Sequence, residues 1–143
     1  MKKSVAFLII LAIVFSLSTF ASADVQNITS AEASTMRLMR TDGTVSVLDE
    51  SQNSLPIREG MRLASGSSLT TEAQSRAGIM LDDNKAVTLD SFSTADLFSA
   101  GKKLELNLRH GAMFFSVSKP LDADESYNIR TSTMILGIRG TSG

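Results

Sequence analysis

The sequence contains no cysteine and no tryptophan, and its 143 residues include only one tyrosine, one histidine and two prolines. Without cysteine, the chain forms no disulfide, no thiolate metal site and no N-terminal lipid attachment. A lone histidine cannot build a metal site or a Ser/His relay without partners, and the sequence signals none. Few aromatic rings are present to stack on a sugar, and the phenylalanines fall mostly on alternating positions expected for a core. Stability must therefore come from apolar burial and backbone hydrogen bonds.

Basic and acidic residues are nearly equal in number. The whole chain has 14 basic and 15 acidic residues. Leaving out the two lysines of the first 23 residues gives 12 basic against 15 acidic, a net charge of −3. Binding of nucleic acid depends on phosphate contacts from a basic face, so this balance disfavours a nucleic-acid partner.

A long apolar run occurs only at the N-terminus. Lys2 and Lys3 precede the apolar run Val5–Phe15, and Ala21–Ala23 has the small-x-small form of a cleavage site. This order predicts a secretory signal peptide over residues 1–23. The alternative, an uncleaved membrane anchor, is disfavoured because the run is shorter than the roughly 18 residues of a spanning helix. The sequence thus predicts an extracytoplasmic mature protein (secreted, on the cell surface or periplasmic) with no transmembrane segment.

Alternation of apolar and polar residues dominates the rest of the chain. Residues 24–35 are small and polar and are interpreted as a flexible lead-in. Beyond them, a period of two places apolar residues on one face of several segments, which is typical of strands with one buried face. The apolar members of these segments are Val45 and Val47; Ala77, Ile79 and Leu81; Val87 and Leu89; Leu104, Leu106 and Leu108; and Met113, Phe115 and Val117.

The spacing of these segments predicts the fold class. Turn-forming residues separate them, and their centres recur about every ten residues. We predict a single small all-β domain of about ten short strands over residues 36–143. Weak recurrence around Ala77, Val87 and Leu97 favours a solenoid-like or roll-like stack, and a β-sandwich or jelly roll is the alternative.

The candidates for chemistry are few. His110 lies in a predicted turn between two strands and is interpreted as a solvated turn residue. Asp82–Asn84, with Asp90 nearby, could offer oxygen ligands to Ca²⁺. An EF-hand loop starting at Asp82 would need glutamate where Ser93 stands and a central glycine that is missing. We interpret the cluster as a solvated hairpin turn, and we assign no catalytic, cofactor-binding or metal residue.

A glycine-rich run, GIRGTSG, closes the sequence from Gly137 to Gly143. A Walker loop needs Lys-Ser/Thr after its last glycine, and a dinucleotide loop needs a following helix. The run has neither. We therefore interpret Gly137 and Gly140 as part of a strand or tight bend, where a glycine allows another backbone segment to approach closely.

Five pieces, taken in order, resemble the extracytoplasmic FecR domain, and the resemblance covers roughly residues 36–141. The pieces are Asp42–Val47; Leu55–Gly60 with Leu63, Gly66 and Leu69–Thr71; Ser75–Asp82; Leu104–Leu108 with Gly111 and Phe114–Val117; and Tyr127–Thr131 leading to Gly137–Thr141.

The resemblance implies an all-β periplasmic or surface module without known enzymatic activity. In iron-uptake regulators of this kind the module follows a membrane helix and a cytoplasmic anti-sigma region. Here a signal peptide stands in that place. We therefore expect a non-enzymatic secreted or periplasmic module for protein binding or cell-envelope structure, alone or within a larger surface protein. The alternatives are an extracytoplasmic sensor or regulator of cell-surface signalling, and a small secreted hydrolase.

The resemblance also yields an expectation about the end of the domain and its partners. Family members usually continue past the Arg-Gly-Thr with an aromatic residue and further strand residues. We therefore expect that the domain lacks its last strand or strands and has an open strand edge, through which it could self-associate. We expect a protein partner in the cell envelope. We expect no cofactor.

Overall fold

The computed structural model describes residues 35–138, which form eleven strands and no helix. The predicted signal peptide, nearly all of the predicted lead-in, and residues 139–143 lie outside the described residues. The strands are β1 (Arg37–Asp42), β2 (Val45–Leu48), β3 (Met61–Arg62), β4 (Ser67–Thr71), β5 (Arg76–Met80), β6 (Lys85–Leu89), β7 (Thr94–Ala100), β8 (Lys103–His110), β9 (Met113–Val117), β10 (Ser126–Thr131) and β11 (Ile135–Ile138).

The strands form two sheets around one apolar core. Sheet A has the order β3-β1-β5-β6-β9, and sheet B has the order β11-β10-β8-β7-β4-β2. The pairings within them are antiparallel except for the parallel pair of β8 and β10. Leu38 and Ile79 of sheet A lie in the same buried cluster as Leu69, Leu97 and Leu106 of sheet B. The prediction of a small all-β domain is confirmed.

Four tight connections carry the chain from one sheet to the other. They are residues 43–44, 72–75, 90–93 and 111–112. Backbone hydrogen bonds join each to the next, so they form one ladder, which we call the corner stack. These bonds run from Glu72 N to Thr44 O (3.1 Å), from Phe92 N to Glu72 O (3.2 Å) and from Asp90 N to Ala112 O (3.0 Å).

The corner stack makes the fold a series of two-strand arches. Each arch has one strand in each sheet, in the order β1/β2, β5/β4, β6/β7 and β9/β8. Neighbouring arches run in opposite directions, which explains why the strands pair antiparallel. The fold therefore combines the stacked short strands of the predicted roll with the two facing sheets of the alternative, the sandwich.

Two of the corners repeat one arrangement built on a serine. Ser75 Oγ accepts a hydrogen bond from Thr44 N (2.8 Å), and Ser93 Oγ accepts one from Ala112 N (2.9 Å). Each hydroxyl also bonds the carbonyl oxygen two residues earlier. Both serines are buried. Each hydroxyl therefore satisfies backbone groups that would otherwise be left unpaired inside a corner.

Candidate binding site at the open edge

The two sheets end at different places. Sheet A ends at β9, whereas sheet B continues past the partner strand β8 with β10 and β11. The ring of Phe115 on β9 meets the ring of Tyr127 on β10 edge-to-face, with centroids 6.4 Å apart and an interplanar angle of 84°. No described strand lies beside β9 on its outer side. We call the space bounded by β9, β10 and β11 the edge slot.

Apolar side chains line the edge slot. Phe115 faces inward because it pairs directly with the buried Val87 of β6, yet it remains 43 % exposed. On the facing sheet, Leu136 of β11 pairs with the buried Ile129 and is 36 % exposed. Residues on the core face of a sheet are ordinarily covered by the opposite layer. Their exposure shows that the described residues cover Phe115 and Leu136 only in part, whereas Tyr127 and Ile129 between them are buried.

The outer edge of β9 also offers backbone groups. Ser118 N donates to Asn84 O (2.8 Å), and Ala112 O accepts from Asp90 N (3.0 Å), so even-numbered residues along β9 direct their backbone groups toward β6. Direction alternates along an antiparallel strand. Met113, Phe115 and Val117 therefore direct their N–H and C=O groups into the edge slot.

Nothing in β9 or β11 protects these edges. β9 reads MFFSV and β11 reads ILGI, without a charged residue or a proline. Edge strands are ordinarily shielded by charges, prolines, bulges or short length. At the opposite edge of sheet A, β3 is only two residues long. At the opposite edge of sheet B, β2 reads VSVL and also has no charge or proline, but Leu55 N donates to Val47 O (2.9 Å) and Ser54 bridges Leu48, so part of that edge is covered.

A buried ion cluster lies at one end of the slot, beside Val117. Lys85 Nζ is 2.6 Å from Asp82 Oδ2 and 3.6 Å from Glu125 Oε1, and the lysine side chain is 2 % exposed. Asp82 Oδ1 also accepts the N–H groups of Asn84 (2.8 Å) and Lys85 (2.9 Å). The cluster ties the β5–β6 turn to the segment that precedes β10.

Acidic residues are in excess at this end. Segments 82–85 and 118–125 together hold five acidic residues against two lysines, a net charge of −3. Lys102 pairs with Asp124 (2.7 Å), which offsets one of these charges. This hydrogen bond raises the pKa of Lys102 and lowers the pKa of Asp124. Residues 131–134, at the other end of the slot, carry no charge. We call the first end the acidic end.

Tyr127 packs against Phe115 behind the open part of the slot. Its side chain is fully buried, and within the described residues its hydroxyl has no hydrogen-bond partner. Burial raises the pKa of the Tyr127 phenol well above its ordinary value, and the negative charge of Asp82 adds to the shift. The phenol therefore stays protonated wherever the protein is folded near neutral pH.

The structure places His110 differently from the sequence prediction. His110 is the last residue of β8, not a turn residue, and the turn begins at Gly111. A bulge explains the difference: Thr94 pairs with His110 and Ala95 with Leu108, so the extra residue Arg109 lets the strand continue. The predicted exposure is correct, and His110 Nε2 lies 3.3 Å from Thr94 Oγ1.

The acidic candidates are not brought together. Asp82–Asn84 form the predicted turn before β6, whereas Asp90 follows β6 at its other end. Asp90 Oδ1 accepts from Arg76 Nε (3.0 Å), and this hydrogen bond lowers the pKa of Asp90. Within residues 35–138, no group of three or more His, Cys, Asp or Glu side chains could hold a metal ion. Of the final glycine run, only Gly137 and Ile138 are described, in β11.

Sequence reasoning missed the edge slot because it placed most phenylalanines in the core. The four described phenylalanines are all at least 42 % exposed: Phe92, Phe98, Phe114 and Phe115. Phe114 and Phe92 lie on outward faces or corners, and Phe115 faces a core that is open at that point. The adjacent Phe114-Phe115 pair was the one available signal, since alternation can bury only one of two neighbours.

The described fold and the slot define a class: a small all-β domain of stacked arches with one apolar edge open. The family model of the FecR protein matches residues 67–143, more than half of the chain. The chain therefore belongs to the FecR family. No curated protein and no solved structure matches it. Family membership points to an extracytoplasmic, signalling-related role in a family that is not known for enzymes. None of the described residues forms a helix that could cross a membrane.

Proposed function

We propose that this protein is a non-enzymatic secreted or periplasmic FecR module that binds a protein of the cell envelope through the edge slot. The observation that carries the proposal is the outer edge of β9. Among the described residues, it combines backbone groups without a partner, no protecting charge and an inward-facing Phe115 that is 43 % exposed. A partner strand would satisfy the backbone groups and bury the apolar side chains together.

The energetics favour a bound partner over an open slot. Each buried apolar Å² contributes roughly 25 cal/mol, so covering the exposed part of one phenylalanine contributes on the order of 1–2 kcal/mol. Strand addition also exchanges solvated backbone groups for ladder hydrogen bonds, each worth about 1 kcal/mol net. A reversible complex forms when several such terms together exceed the entropy cost of association.

The sensor alternative is favoured by the family itself, since FecR proteins are signalling-related. In that case, binding of the partner in the slot is the signal that the protein senses. No observation favours the hydrolase alternative, because the acidic candidates lie at opposite ends of β6.

Site-specific crosslinking in the native cells tests the proposal. A photo-crosslinking residue replaces Phe115 in one strain and Phe92 in the control strain. Phe92 is more exposed than Phe115, at 66 % against 43 %, but it lies in the corner stack. We expect a discrete envelope-protein adduct from position 115 that is absent from position 92 and is lost when Val117→Pro is added. The same adduct from both positions, or none from position 115, would contradict the proposal.

A further inference from the structure

We infer that the edge slot receives an extended segment that runs antiparallel to β9, places apolar residues at alternate positions, and carries a lysine or arginine at its N-terminal flank. This inference rests on the proposed function and names the chemistry of its partner. Three features of the slot carry it: the overhang of sheet B, the direction of β9, and the uneven charge of the two ends.

The overhang of sheet B selects an extended segment rather than a second folded edge. Sheet B extends beyond β9 by two strands, β10 and β11. If β9 of a second copy paired with β9 in the same plane, the second copy's own sheet B would need the space that β10 and β11 occupy. A single strand has no such second layer. It can therefore pair with the edge of β9 while β10 and β11 stay in place.

The pairing pattern sets the direction and the residue types. All neighbours in sheet A are antiparallel, and antiparallel pairing is slightly more stable per residue. Met113, Phe115 and Val117 offer both their backbone groups and the inward face. Side chains directly opposite them would point toward Tyr127 and Leu136, where a charge would be left unpaired. The inward positions of the segment are therefore aliphatic.

The charge difference between the two ends of the slot determines which end of the bound segment carries the cation. β9 runs from the corner stack toward the acidic end, because Val117 pairs with Lys85 and is followed by segment 118–125. An antiparallel segment consequently enters at the acidic end, and its N-terminal flank meets Asp82 and Glu125, whose side chains are 22 % and 17 % exposed. A cation there is attracted by the excess of carboxylates. The opposite end, residues 131–134, offers no charge to a C-terminal flank.

Defined peptides test the inference on the full mature protein. The probe is a fluorescent, end-blocked peptide of lysine, valine, threonine, leucine, serine, valine and threonine in that order. One matched peptide moves the lysine to the C-terminal end, and another replaces the aliphatic residues by serine. By fluorescence anisotropy we expect the first to bind, the second to bind about two- to fivefold more weakly, and the third not to bind.

Protein variants assign the binding to the slot. Val117→Pro removes an N–H that points into the slot and leaves the bonds to β6, so it should weaken binding at least about tenfold. Val117→Ala keeps that N–H and should retain most of the affinity. Glu125→Gln should abolish the preference for the N-terminal lysine. Phe92→Ser, in the corner stack, should change nothing.

A second measurement applies if Val117→Pro does not fold. In the unaltered protein, the peptide should slow amide exchange of Met113, Phe115 and Val117 more than that of Phe114 and Ser116. Equal protection of both sets would overturn the inference.

The remaining outcomes separate the inference from the proposed function. Equal affinity for both lysine positions, or no peptide binding while the crosslink at position 115 persists, would overturn the inference alone. A dimer that Val117→Pro abolishes would assign the slot to a second copy and overturn it as well. Loss of both the crosslink and the peptide binding would overturn the proposed function.

Discussion

At the scale of single residues, Tyr127 is a polar group for which residues 35–138 supply no hydrogen-bond partner. It is the only tyrosine of the chain, its side chain is fully buried, and its hydroxyl is unpaired within the described residues. A buried hydroxyl without a partner costs free energy that a phenyl ring of the same shape does not. The ring itself contributes to the core and meets Phe115.

Replacing Tyr127 by phenylalanine tests this cost. We expect Tyr127→Phe to raise the free energy of unfolding by about 1 kcal/mol in urea titrations. The unaltered protein should also lose stability as the pH rises above the ordinary phenol pKa near 10, since burial raises the pKa only in the folded state and the unfolded chain alone ionises there. Tyr127→Phe should remove this alkaline loss. A destabilised Tyr127→Phe protein would show that the hydroxyl has a partner.

Lys85 shows the opposite case, a buried charge that is paired. Asp82→Asn keeps an oxygen for the turn but removes the charge 2.6 Å from Lys85 Nζ, leaving Glu125 at 3.6 Å. We expect the free energy of unfolding, measured by chemical denaturation, to fall by about 2–3 kcal/mol. Breaking a buried ion pair leaves the remaining charge buried without a partner of opposite sign. Adding Lys85→Met should recover most of the lost stability. The control Asp124→Asn, at an exposed pair, should leave stability nearly unchanged; an equal loss there would contradict the prediction.

At the scale of elements, the corners depend on glycine where two chain segments touch. Gly111 has φ +91°, and a Cβ there would collide with the Ser93 hydroxyl and lie 2.5 Å from Ser93 Cα. Gly60 has a similar φ of +75° but open space around it. The two positions therefore separate backbone strain from steric overlap.

Alanine at these two positions gives a matched comparison. Gly60→Ala should cost about 1–2 kcal/mol, the strain of a left-handed residue with a Cβ. Gly111→Ala should cost at least about 2 kcal/mol more, because backbone and a buried serine must also move. Thermal or urea unfolding of both variants measures the difference. Equal losses of stability in the two variants would show that the corner stack can shift to accommodate a Cβ at little cost.

The edge strand β9 should show its asymmetry in amide exchange. Phe114 and Ser116 direct their N–H groups toward β6, and Met113, Phe115 and Val117 direct theirs into the slot. We expect exchange of the second set to be at least about tenfold faster, measured by NMR at neutral pH on the free protein. Uniform protection along β9 would mean that the slot is already filled.

At the scale of the whole molecule, most of the fold prediction came from the alternation of apolar and polar residues. β2, β5, β6, β8 and β9 coincide with the alternating segments. By contrast, β4 and β7 gave weaker signals because their burial is nearly continuous, as Ser67–Leu69 and Thr94–Leu97 show. A strand covered on both faces shows no alternation. The predicted self-association through an open edge stays a prediction.

The sequence by itself determined the all-β class, because a period of two and turn residues are local properties, and the order of its motifs indicated the family. The tertiary structure alone decided that the four corners stack, that Lys85 meets Asp82 and Glu125, and that sheet B overhangs sheet A. These features depend on contacts between segments far apart in the chain, such as Thr44 with Ser75 or Lys85 with Glu125. The edge slot belongs to this second group, since exposure of Phe115 depends on which strand lies beside β9.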